Sequence, residues 1–70
     1  MGSDIEQIFS YHPPTPEQIP HYEAVRAGAK EFARILDEHV PACADRSAAI
    51  RKLRESAMTA NAAIALRGAV

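Results

Sequence analysis

The sequence predicts an all-α protein: an antiparallel helical hairpin, preceded by a short N-terminal helix and a proline-rich strap, that assembles with copies of itself. Three observations carry this expectation. Apolar residues recur at three- and four-residue spacing along two long stretches. Only the short link Pro41-Ala42-Cys43-Ala44 separates those stretches, so the second must turn back on the first. Alanine is abundant and large apolar residues are few, so the helices can approach closely while one hairpin buries little area.

The elements follow in order. At 70 residues the chain makes one domain. Residues 1–14 hold a short helix, capped by Ser3 or Asp4 and running through Ile5, Ile8 and Phe9, and then the strap. In Ser10-Tyr11-His12-Pro13-Pro14-Thr15-Pro16 the prolines forbid regular helix before Thr15 and favour an extended, stiff chain. Residues 15–40 form the first long helix. Thr15 and Gln18 have the spacing of a capping box, and Pro16 suits a first helical position. Pro20 removes a backbone donor, which predicts a separate turn over 16–19 and a main helix from about Pro20. Tyr22, Val25, Ala29, Phe32, Ala33, Leu36 and Val40 give its apolar face, and Pro41 ends it.

Residues 41–44 link to a second long helix over 45–67, with Asp45 as its expected N-cap and Gly68 placed to end it. Ile50, Leu53, Ala57, Ala60 and Ile64 form a coiled-coil-like seam. Met58, Ala62, Ala65 and Leu66 make a second apolar stripe off that seam. One partner helix cannot cover both, which places an oligomer interface around the C-terminal half of this helix.

Several classes are set aside. Cys43 is the only cysteine, which excludes an internal disulfide and fits a reducing compartment. His12, His21, His39 and Cys43 show no paired metal-ligand spacing, so neither a metal nor a cofactor is expected. A formal net charge of −1 argues against coating DNA or RNA. No apolar run is long enough to span a membrane, and Met1 to Gln7 carries acids and no signal-like core. Ser10, Ser47, Ser56 and Cys43 sit in no recognisable nucleophile elbow, and Gly2, Gly28 and Gly68 are isolated, so no enzyme is expected.

The informative feature is a ridge. Arg26, Lys30 and Arg34 stand four residues apart on one helix face, where like charges repel by roughly 0.2–0.5 kcal/mol per pair. Either Glu23, Asp37 and Glu38 neutralise it as an ordinary solvated face, or an anion sits there. Tyr11, an aromatic in a stiffened strap, can stack on a flat ligand, worth about 1–3 kcal/mol for a nucleobase; the alternative is a small cap on the hairpin. His12 and His21 read as surface or packing residues. Arg46, Arg51, Lys52 and Arg54 read as a solvated face or, less readily, a DNA-binding helix. Arg67 is favoured by the dipole at its helix C-terminus, or converges with its copies on a polyanion. Asn61 and Thr59 are polar in an alanine-rich helix, hydrogen-bonded inside an assembly or exposed.

The run from Tyr11-His12-Pro-Pro-Thr-Pro through Arg26 to Ala33, and the closing segment Asp45 to Arg54 and on to Arg67, resemble the phage anti-CBASS cyclic-nucleotide sponges over nearly the whole chain. A phage Thoeris-inhibiting family shares the same hairpin architecture. The resemblance implies a homohexamer that sequesters cyclic dinucleotides, such as 3′,3′-cyclic GMP-AMP, without cleaving them, in the cytoplasm of an infected bacterium. It implies a ligand pocket between protomers, with Tyr11 stacked on a base and Arg26 in place of the family's phosphate-binding lysine. Arg26 keeps that charge and adds a donor fork, and Lys30 is an electrostatic helper. A second site for cyclic trinucleotides in some members uses an arginine matching Arg67 and a threonine where this chain has Gly28, which has no side-chain donor. The rival readings are a helical protein–protein interaction module and a small DNA-binding regulator.

Overall fold

The computed structural model describes residues 2–67, and every regular element in them is helical. Helix α1 spans Gly2–Phe9, α2 spans Ile19–His39, and α3 spans Ala44–Leu66. Helices α2 and α3 pack against each other as a hairpin. Residues 11–15 belong to no helix, and 16–18 form a turn ahead of α2. Proline explains both features: three prolines in four positions deny the backbone the donors that a helix requires.

The expected Thr15–Gln18 box is half formed. The Thr15 backbone N–H donates to Gln18 Oε1 at 3.0 Å, while the Gln18 N–H meets the Thr15 carbonyl rather than its hydroxyl. Gln18 is itself the N-cap, and α2 begins at Ile19 with Pro20 inside its first turn, where a missing N–H costs nothing. The other Gln18 group, Nε2, crosses to α3 and donates to the Ile64 carbonyl at 3.0 Å. One side chain thus ties the start of α2 to the far end of the hairpin.

At the tight end, Val40 leaves the helix in an extended conformation ahead of Pro41. Arg46 turns back from α3, and its Nη1 donates to the Val40 carbonyl at 3.2 Å and the Asp37 carbonyl at 3.4 Å, with Asp37 Oδ1 3.7 Å away. A cation satisfying the last carbonyls of a helix is favoured by hydrogen bonding and by the dipole. The α3 N-cap is Cys43, not Asp45. Ala44 is a strong helix former and the N-cap lies two residues earlier than expected, so Asp45 lies in the first turn, where its charge still meets the positive helix end. Gly68 lies outside the described residues; Arg67 is the C-cap, in the left-handed region at φ 54°, with its N–H bonded to the Ala63 and Ile64 carbonyls.

The seam is thinner than the periodicity suggests. Tyr22, Val25, Ala29, Ala33, Leu36 and Val40 are half-buried against Leu53, Ala57, Ala60 and Ile64. Phe32 and Ile50, expected on the seam, are 52% and 37% exposed. An apolar stripe over 100° wide exceeds what one facing helix covers, so residues at its margins are left outside. Among the described residues none is fully buried. The radius of gyration is 15.0 Å, against about 11 Å for a compact chain of this length. The second α3 stripe divides. Met58 is 60% exposed and Ala62 is exposed. Ala65 and Leu66 are half-buried and line one cleft with Tyr11, His12 and Pro13 of the same chain.

Candidate functional site

Two clefts hold the residues singled out from the sequence. The first is a groove of about 320 Å³ between the long helices, a size typical of small-ligand sites. Its floor is apolar and small: Val25, Ala29 and Ala33 from α2, Leu53 and Ala57 from α3. Arg26 and Lys30 form one wall, one helical turn apart; Ile50, Arg54, Met58 and Asn61 form the other. Alanine at the floor lets the helices sit close and leaves a shallow trough in which a flat group fits. The long cationic side chains frame it because they extend from exposed positions flanking the seam.

The ridge on α2 is not neutralised as the sequence offers. Glu23, Asp37 and Glu38 do not pair with it: Asp37 lies near Arg46 and Glu38 near His39. Arg34 meets Glu31 at 3.4 Å in an exposed pair, which contributes little. Among the described residues no carboxylate comes within 4.0 Å of Arg26, Lys30 or Arg54. Three unpaired cations therefore converge on one apolar groove in a chain whose net charge is −1. In the sequence Arg54 groups with the α3 surface cluster, and Asn61 fits either a hydrogen-bonded or an exposed place. The i, i+4, i+7 spacing of Arg54, Met58 and Asn61 shows that they share a face, but only packing shows that this face looks across at Arg26 and Lys30.

The second cleft, about 290 Å³, lies where residues 7–18 pass the end of α3. Tyr11, His12, Pro13, Thr15, Gln18 and Arg67 line it. His12 Nε2 donates to the Gln7 carbonyl, fixing the bend after α1. Tyr11 is 86% exposed. It does not serve as a core cap, because an aromatic that caps a core loses most of its contact with water.

The structure thus separates the expected ligand residues. Tyr11 and Arg67 share one cleft, while Arg26 and Lys30 share another. Gly28 belongs to neither and lies in a third hollow beside Phe32, Ser56 and Ala60. A Cβ added at Gly28 meets nothing within 4 Å. Arg46, one of the four residues read as a cationic cluster, is occupied at the end of α2, which leaves Arg51, Lys52 and Arg54. Among the described residues no group of three His, Cys, Asp or Glu side chains could hold a metal, and no helix is long and apolar enough to cross a membrane.

The model of the Acb2/Tad1 hairpin-domain family matches residues 1–65. No curated protein and no solved structure matches the chain. The family's sponges bind cyclic nucleotides rather than turning them over, in keeping with a groove edged by cations. The chain, an all-α hairpin matched over almost its whole length, belongs to the Acb2/Tad1 hairpin-domain family, the anti-CBASS and anti-Thoeris sponges.

Proposed function

We propose that this protein binds and sequesters cyclic dinucleotides of bacterial CBASS immunity, such as 3′,3′-cyclic GMP-AMP, intact, in the cytoplasm of the infected host. The observation that carries the reading is the apolar groove framed by Arg26, Lys30 and Arg54, cations with no carboxylate partner among the described residues. A dianionic ring with two flat bases matches such a surface in charge and in shape. Arg26 clamps the phosphates, with Lys30 adding field. Tyr11 supplies the stacking ring, and because it lies in a different cleft from Arg26, it reaches the ligand from a neighbouring subunit.

Assembly is part of the same reading. Ile5, Phe9, Phe32, Ile35 and Met58 are 44–83% exposed, and no described residue is fully buried. A single chain of this kind has too little core to be stable alone. A homohexamer covers these apolar side chains and sets identical residues around a ligand whose sugar-phosphate ring is two-fold symmetric. A cyclic-trinucleotide site around Arg67, which in this chain lacks a side-chain donor at Gly28, would also draw on more than one chain, since the two lie in different hollows.

Calorimetric titration with 3′,3′-cyclic GMP-AMP tests the proposal. Uptake at fixed stoichiometry is expected, with the ligand recovered chemically unchanged after heat denaturation. Tyr11→Ala abolishes uptake while the assembly persists. Particles that sediment as single chains, or leave the ligand free in equilibrium dialysis, overturn it.

A further inference from the structure

Asn61 is the odd residue in the groove. Its Oδ1 is shut off from water and has no hydrogen-bond partner among the described residues. Buried polar atoms are almost always paired, because losing water without gaining a partner is unfavourable, so an orphan of this kind asks for a donor. The half-buried Asn61 side chain lines the same groove as Arg26 and Lys30, so a turn of its amide brings this oxygen into the groove. Seven residues earlier on the same face of α3 stands Arg54, which is exposed and has no carboxylate within 4.0 Å among the described residues. Between them Met58, 60% exposed, offers a polarisable thioether suited to the edge of a flat ring. The α3 wall therefore presents, in order, a donor fork, a soft apolar contact and an unfilled acceptor. This sequence of groups corresponds to a phosphate, a base plane and a base N–H.

We infer that Arg54 and Asn61 belong to the ligand site: Arg54 holds a phosphate oxygen, and the Asn61 amide turns outward so that its Oδ1 accepts a hydrogen bond from the N–H edge of a nucleobase lying in the groove. The inference rests on the cyclic-dinucleotide reading and adds to it the residue that reads the base. The unfilled acceptor accounts for an asparagine in an otherwise alanine-rich helix: it lowers the stability of the empty protein and is satisfied when its amide turns to a base in the groove.

The experiment compares the wild type with Asn61→Leu, Arg54→Gln and Arg26→Ala, each titrated with 3′,3′-cyclic GMP-AMP at low and high salt and melted without ligand. Leucine keeps the branched shape of asparagine, with two larger methyl groups in place of the amide, and removes the orphan. Asn61→Leu should melt at a higher temperature than the wild type yet bind roughly three- to tenfold more weakly, as loss of one hydrogen bond implies. A residue with only a structural role would not move those two readouts in opposite directions. Arg54→Gln should bind about tenfold more weakly, with a smaller loss of affinity on adding salt, since one screened charge contact is gone. If Asn61→Leu and Arg54→Gln bind like the wild type while Arg26→Ala does not, this inference is overturned and the sequestration reading stands. If Asn61→Leu melts lower and binds more weakly, Asn61 is a fold residue and its part of the inference is overturned. If the wild type itself takes up no ligand, the sequestration reading falls, and the inference with it.

Discussion

Replacing Gln18 with alanine removes two hydrogen bonds at a point where three parts of the chain meet. Its Oε1 accepts from the Thr15 N–H and its Nε2 donates to the Ile64 carbonyl, each at 3.0 Å and part-buried. A protein hydrogen bond contributes a net 0.5–1.5 kcal/mol or so, so the pair is worth roughly 1–3 kcal/mol. In a domain this small, ~1 kcal/mol moves the melting temperature by about 4–8 °C, so Gln18→Ala should melt roughly 5–20 °C lower. Gln18→Glu separates the two contacts. Glutamate still accepts from Thr15, but sets a carboxylate oxygen against the Ile64 carbonyl. The α2 dipole offsets about 0.3–1 kcal/mol of that loss, so an intermediate melting temperature is expected. Circular dichroism melts at equal protomer concentration provide the measurement, because assembly makes melting concentration-dependent. The same variants should expose the segment around Tyr11 to limited proteolysis sooner than the wild type. A Gln18→Ala protein within about 0.5 kcal/mol of the wild type would refute the idea that this side chain locks the N-terminal segment to α3.

Other changes probe the surfaces and ends. Phe32→Glu places a charge on a side chain that is 52% exposed and worth roughly 1.5–3 kcal/mol when buried in a neighbour; sedimentation should show smaller species, and unchanged sedimentation would remove this face from the interface. At Gly28, where an added Cβ has open space, alanine should stabilise α2 by about 1 kcal/mol, measured by denaturant titration; a loss instead means that another subunit fills that space. Gly28→Thr restores the side chain that the resemblance associates with trinucleotide binding and should confer uptake of a cyclic trinucleotide, scored by calorimetry against Gly28→Ala. Arg67→Gly relieves a left-handed residue at φ 54° and should raise stability by ~1 kcal/mol; no gain in the thermal melt would indicate that the C-cap is not strained.

Helix identity and order were legible because they depend on local chemistry. Proline-rich residues 11–16 cannot be helical, Pro41 must end α2, and apolar spacing assigns Leu53, Ala57 and Ile64 to the seam in any context. The candidate ligand residues were legible one at a time, from charge and aromatic character. Their grouping was not, because periodicity places a residue on its own helix but is silent about which face of the other helix it meets. The register of α2 on α3 brought Arg54 and Asn61 opposite Arg26 and Lys30. The path of residues 7–18 past the end of α3 put Tyr11 with Arg67 and away from Arg26. Local propensity therefore determined the helices and their breaks, while long-range packing alone decided which charges converge, which acceptor stays unpaired and which apolar side chains remain for a neighbour.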